Sequence, residues 1–258
     1  AMRTLFVSQG IGADLVAKSP ADGYTLLLAS SSGLALNVAA FKKLPYDPVK
    51  DFAPVSLAFY TPLYLVINPD LPVNSVKELI AYAKAKPNAL SFASLGHGSS
   101  LHLAGEMVKQ RAGLFMLHIP YRGVAPLTND LIGGQLEYGV FVLSSGLPHI
   151  RSGKVVALGL TQLQRSPIAP EIAPLGEHAM LKGLDIASWF GVWGPAQMPP
   201  AIVQRVQGAL RETLQAADVR KKLEEAGANV AEPGADLAAY QRTERDKYVS
   251  IVKFANIQ

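Results

Sequence analysis

The chain has 258 residues, 49% apolar and 17% charged, which is enough for a packed core and excludes a disordered polymer. Its net charge of +4 comes from scattered basic residues, so nucleic acid is not an expected partner, while a mild preference for small anions is. The absence of cysteine excludes disulfides, thiolate catalysis and cysteine-held metals.

Taken in chain order, short apolar runs alternate with amphipathic stretches, the pattern of an α/β protein. Strands are expected over residues 24–29, 63–67, 90–93, 117–120, 136–143, 155–161 and 187–192. Most are continuous apolar runs, as in strands covered on both faces of a parallel sheet. No run reaches the ~18 apolar residues that span a bilayer. Ser75 and Glu78 form a capping box ahead of Val76, Leu79, Ile80 and Ala83 at helical spacing. Pro199 and Pro200 open a helix whose apolar face is Ile202, Val203, Val206, Leu210 and Leu214. Asp218 is expected to cap a short helix that ends before Gly227. Residues 236–254 read as a charged surface helix with Leu237, Tyr240, Tyr248, Ile251 and Val252 turned inward. Ala1 and Met2 read as a cloning remnant, and the chain as given shows no signal peptide.

The stretch SLGHGSSLHLAGE, residues 94–106, sits where a strand becomes a helix. It lacks the central serine of a nucleophile elbow, the lysine of a P-loop and the third glycine of a dinucleotide fingerprint. His97 and His102 are five apart and Glu106 follows one turn after His102, so a third metal ligand is missing and no metal is expected. What remains is a row of backbone N–H groups at a helix start, with Gly96 and Gly98 allowing close approach and Ser99 and Ser100 adding hydroxyls. Such a junction suits a carboxylate. An ordinary serine cap after a glycine turn would look the same. Two further stretches also follow strands, where ligands sit in open α/β sheets: Ser30, Ser31 and Ser32, and Tyr121, Arg122 and Gly123. Arg122 offers a fork for a carboxylate, or is a solvated surface charge.

These residues carry a resemblance. GADLVAKSPADGYT (12–25), LPYDP (44–48) with KDF (50–52), GHGSSLHLAGE (96–106), PYRG (120–123), DLIGGQ (130–135), LPHIR (147–151), RSP (165–167) and WFG (189–191) resemble, in order and spacing, the Bug/TctC family. Its members are extracytoplasmic solute receptors of tripartite tricarboxylate transporters. The resemblance implies a type II periplasmic-binding-protein fold: two α/β lobes closing like a flytrap, lobe one over residues 1–65 plus 188–258 and lobe two over 66–187. It implies a periplasmic receptor for a small carboxylate that is not an enzyme, uses no cofactor or metal and delivers to membrane subunits of the transporter. The ligand contacts it implies are Ser30, Ser31, Ser32, Gly96, His97, Gly98, Ser99, Ser100, His102, Tyr121, Arg122, Gly123 and Phe141.

Two departures shape the expectation. Relatives begin with a further strand, loop and helix, so lobe one is expected to lack its N-terminal strand and helix and to expose a sheet edge. A homodimer completing that lobe, a truncation, or a weakly binding cleft would follow. Second, many amino-acid-binding relatives carry an acid where this chain has Phe141 or Val142. A buried ligand ammonium needs a paired carboxylate, so a dicarboxylate or an aromatic acid is expected instead. An effector domain of a transcription regulator would need a helix-turn-helix, which the chain does not show.

Overall fold

The computed structural model of the chain describes residues 3–5, 9–37 and 44–255, so Ala1 and Met2 lie outside the described residues. In order the elements are β1 (Arg3–Leu5), α1 (Gln9–Ala17), β2 (Thr25–Ser30), a π-helical turn (Ser32–Leu36), β3 (Phe52–Ile67), α2 (Val76–Ala85), β4 (Ser91–Ser94), α3 (Ser100–Arg111), β5 (Leu117–Pro120), α4 (Val124–Ile132), β6 (Tyr138–Val142), α5 (Leu143–Arg151), β7 (Val156–Leu160), β8 (Ala187–Pro195), α6 (Pro200–Gln215), α7 (Ala217–Glu225), β9 (Asn229–Val230) and α8 (Leu237–Ala255). Described residues within Ala1–Tyr60, Trp189–Glu224 and Asn229–Gln258 pack as one unit, and Thr61–Ser188 with Glu225–Ala228 as a second. β3 and β8 carry the chain from one unit to the other.

In the first unit the strand order is β1-β2-β8-β3, with β9 also on β3. β1 runs parallel to β2, whereas β2 and β8 are antiparallel, with Leu27 opposite Trp193. Leu26, Val55, Val192 and Met198 form a core against Ile202, Val203, Val206 and Leu210 of α6. This is the apolar stripe expected from the 3.6-residue period. Burying a side chain such as Leu26 contributes about 1.5–3 kcal/mol. Pro200 stands at the first helical turn, where its missing N–H is no loss. Gln241 on α8 is buried and ties three segments together. Its Nε2 donates to Leu34 O at 2.7 Å and Pro48 O at 3.1 Å, and its Oε1 accepts from Trp193 Nε1 at 3.4 Å.

In the second unit the order is β7-β3-β6-β4-β5. β4 is parallel to both β5 and β6, but β3 is antiparallel to β6 and β7. The sheet is therefore mixed, not parallel as the apolar runs suggested. Leu63 to Ile67 are fully buried because β3 lies between two neighbours, and that holds for either strand direction. Ser75 Oγ accepts from Glu78 N–H at 3.2 Å, and Glu78 returns to Asn74 N–H at 2.7 Å, one residue earlier than a standard capping box.

Other expectations change as well. β3 starts eleven residues before the expected Leu63, at Phe52, because Pro54 and Pro62 break the sequence signal without ending the strand. Asp218 is not a cap: α7 begins at Ala217, with one residue between it and the end of α6, and Asp218 sits in its first turn, favourable to the helix dipole. The strand expected to reach Leu143 ends at Val142, and Leu143 opens α5 despite Pro148.

Candidate functional site

β4 ends at Ser94, and the chain must reverse before α3 begins. Gly96 (φ +106°) and Gly98 (φ +69°) take the left-handed backbone that this turn requires. Ser99 then adopts an extended conformation and caps the helix. Its Oγ accepts from His102 N–H at 3.1 Å and donates to Gly96 O at 2.9 Å. The Ser99 hydroxyl thus holds the turn. Ser100 is 1% exposed. Among the described residues, the backbone N–H groups of Ser100 and Leu101 have no protein acceptor. They stand at the partly positive start of a twelve-residue helix. A side chain at Gly105 would run into the Phe92 ring, so α3 lies close on β4.

The loop brings three imidazoles together. His118, on β5, lies over His102 with ring centroids 3.9 Å apart, and His97 meets both edge-on. Parallel pairing of Ser94 with Pro120 sets β5 beside β4 and so delivers His118 to the loop. Spacing within residues 94–106 gave no sign of it, although His118 directly precedes Ile119 and the PYRG stretch. Its Nε2 lies 2.7 Å from Ser94 Oγ. His102 Nδ1 accepts from Gly98 N–H at 3.3 Å, and its Nε2 faces buried Glu106 at 3.9 Å. Lys109 pairs with the same carboxylate oxygen at 2.7 Å. Burial, then the charges of His97 and Lys109, holds His102 down to about 4. Burial, then His102, His97 and Lys109, holds His118 down to about 3. Both rings are neutral near pH 7.

Tyr121 joins the loop through its N–H, which donates to Ser94 O at 2.9 Å. Its hydroxyl donates to Asp130 Oδ2 at 2.6 Å, and burial with that carboxylate pushes it up to about 12. Arg122 is exposed and has no ion-pair partner among the described residues. Gly123 precedes α4 with extended backbone and supplies no side-chain cap. Phe141 is 4% exposed and packs with Tyr64, Leu127 and Leu143 in the core of the second unit. Its ring is therefore engaged in packing.

Ser30, Ser31 and Ser32 belong to the first unit. Ser31 and Ser32 are buried, Ser31 beside Tyr248, because the apolar turn that follows them is drawn under α8 by the Gln241–Leu34 bond. They are interior residues; Ser30 is partly exposed at the end of β2. A groove of about 490 Å³ in the first unit, lined by Val55, Gln204, Gln207, Arg211 and Asp236 among others, contains none of the sequence-predicted residues. One of its polar groups is already used, since Gln207 Nε2 donates to Val55 O at 2.8 Å. The chemistry concentrates instead at the β4–α3 loop.

Comparison with known proteins gives the family. Residues 8–257 match the family described as tripartite tricarboxylate transporter family receptor, TctC. Protein BugT of Bordetella pertussis is 39% identical over 209 residues, 80% of this chain and 63% of its own length. Two solved structures from Rhodopseudomonas palustris are similar over most of the chain. One, with adipate, is 31% identical with a TM-score of 0.88, covering 96% of this chain and 83% of that one. The other, MatC with bound malate, is 28% identical with a TM-score of 0.83, covering 94% and 84%. This chain spans 66%, 63% and 60% of the lengths of the first curated relatives it matches.

Proposed function

Because this chain belongs to the TctC family of tripartite tricarboxylate transporter receptors, we propose that it is a periplasmic receptor for a small dicarboxylate or aromatic acid. The family is one of solute-binding receptors with a two-lobed periplasmic-binding fold, and it is not enzymatic. Among the described residues no helix is long and apolar enough to cross a membrane. As the family description implies, the proposed receptor passes its ligand to membrane subunits of the transporter.

The observation that carries the reading is the pair of unpartnered N–H groups at Ser100 and Leu101. A buried N–H without an acceptor is costly, and a ligand carboxylate would supply one while meeting the favourable end of the helix dipole. We assign a second carboxylate to Arg122, the charged residue next to Tyr121, whose N–H is bonded to Ser94 O. Adipate and malate, in the two R. palustris relatives, are both dicarboxylates. Val140, Phe141 and Val142 offer no acid for a ligand ammonium, which favours plain acids over aspartate or glutamate.

Calorimetric titration with adipate, malate, benzoate, aspartate and glutamate tests this. At least one plain acid is expected to bind. Ser100→Pro removes one N–H at a helical position that tolerates proline, after a residue already extended as proline demands. It is expected to weaken binding roughly tenfold with the fold intact, as is Arg122→Ala, on the scale of a charge-assisted hydrogen bond. Binding of the amino acids alone, or undiminished binding by both variants, would overturn the reading.

A further inference from the structure

We infer that His97, His102 and His118 form a three-imidazole site for a divalent transition ion of the zinc class, with a fourth coordination position open. One nitrogen from each ring lies within 4.8 Å of the other two. The three come from different parts of the second unit: the loop after β4, the first turn of α3, and β5. The sequence spacing showed two histidines and lacked a third ligand; the pairing of β4 with β5 supplies it.

The hydrogen bonds leave a nitrogen lone pair on His118 and on His102. Ser94 Oγ lies 3.2 Å from Gly96 O and 2.7 Å from His118 Nε2; in the tautomer in which the hydroxyl donates to Gly96 O, Nε2 carries the ring hydrogen. That leaves a bare lone pair on His118 Nδ1, which is buried and has no partner. In His102 the N–H of Gly98 points at Nδ1, which is therefore also a lone pair, and the Nε2–H faces Glu106. A metal at Nδ1 would replace the long 3.3 Å bond from Gly98 and leave a carboxylate behind the opposite nitrogen. A ring N–H backed by a carboxylate is the usual outer support of a metal-bound histidine. Lys109 is the nearby cation, and its charge is matched by Glu106 at 2.7 Å.

His97 is exposed, with its ring edge-on to both others. Tetrahedral zinc with nitrogen ligands needs the nitrogens about 3.4 Å apart, so a modest rotation of that ring closes the site. An all-imidazole set in a chain without cysteine favours zinc, nickel or copper over calcium or magnesium. The inference does not depend on the carboxylate reading.

Equilibrium dialysis of the full chain against Zn²⁺, in buffer free of carboxylates and chelators, tests it. One ion per chain is expected. His97→Ala, at an exposed position, is expected to weaken binding roughly tenfold or more, and His118→Gln to abolish it. The double variant His149→Ala with His178→Ala, outside the cluster, is expected to bind as the parent does. Bound Co²⁺ is expected to show the strong visible absorption of a four-coordinate site, lost in His97→Ala. Circular dichroism establishes that each variant is folded. No saturable uptake by the parent would overturn the inference, and so would uptake unchanged in both His97→Ala and His118→Gln. Loss of uptake in the His149/His178 double variant would do the same.

Discussion

The His118 ring lies on the His102 ring with centroids 3.9 Å apart and planes 21° from parallel. Phe92 extends the stack, its ring 4.8 Å from His118 and 6.2 Å from His102. The stack tolerates neutral imidazoles and opposes protonated ones. Burial removes water from a charged ring, and each cation would repel the next.

Acid should therefore weaken the fold through these two residues. Their folded values, about 4 and about 3, lie below the ordinary 6.5, so the unfolded chain binds more protons between these limits. Their contribution is present above pH 6.5 and is lost as pH falls toward 3, less steeply for the partly exposed His118. Melting temperature should drop between pH 6.5 and 5, above the range where most carboxylates titrate, and His118→Gln should flatten that slope. Parallel curves for parent and variant would contradict the assignment.

Ser99→Ala removes the cap of α3 and the bond to Gly96 O. A loss of about 1 kcal/mol in urea unfolding is expected. Because the hydroxyl is already committed, ligand affinity should change less than in Ser100→Pro. A large affinity loss at unchanged stability would identify Ser99 as a ligand contact.

Gly105→Ala adds a methyl group against the Phe92 ring. Glycine normally weakens a helix, so an exposed site would gain from this change. Here overpacking should prevail and lower stability by roughly 1–3 kcal/mol, read as a lower melting temperature. A more stable variant would mean that the α3–β4 contact is looser than described.

In the first unit, Gln241→Leu leaves the carbonyls of Leu34 and Pro48 buried without their donor. The expected loss is roughly 2–4 kcal/mol by chemical denaturation, because stranded buried acceptors lose their water as well as their bond. A neutral result would mean that water or another donor reaches them.

Tyr121→Phe loses the bond to Asp130 at 2.6 Å while keeping the ring. About 1 kcal/mol of destabilisation is expected, since the pair is partly exposed. Spectroscopic titration of the parent should also show this phenol ionising well above 10.

By itself the sequence determined features whose causes are local. The Ser75–Glu78 cap, Pro200 at the start of α6, the two left-handed glycines and the serine before α3 depend only on neighbours along the chain. The apolar stripe of α6 and the burial of Leu63 to Ile67 were legible for the same reason, since side-chain periodicity is a local property. The family pattern, spread over many short stretches, was legible as well. Only the tertiary structure decided what meets what. Strand direction on either side of β3 leaves no mark on an apolar run, so the mixed sheet was not readable. Whether Ser31 is a loop donor or an interior residue depends on Gln241, far along the chain, pulling the intervening turn inward. His102 acquired His118 as its neighbour because β4 pairs with β5 through backbone hydrogen bonds. Those bonds are made by groups common to every residue, and so the side chains do not announce them.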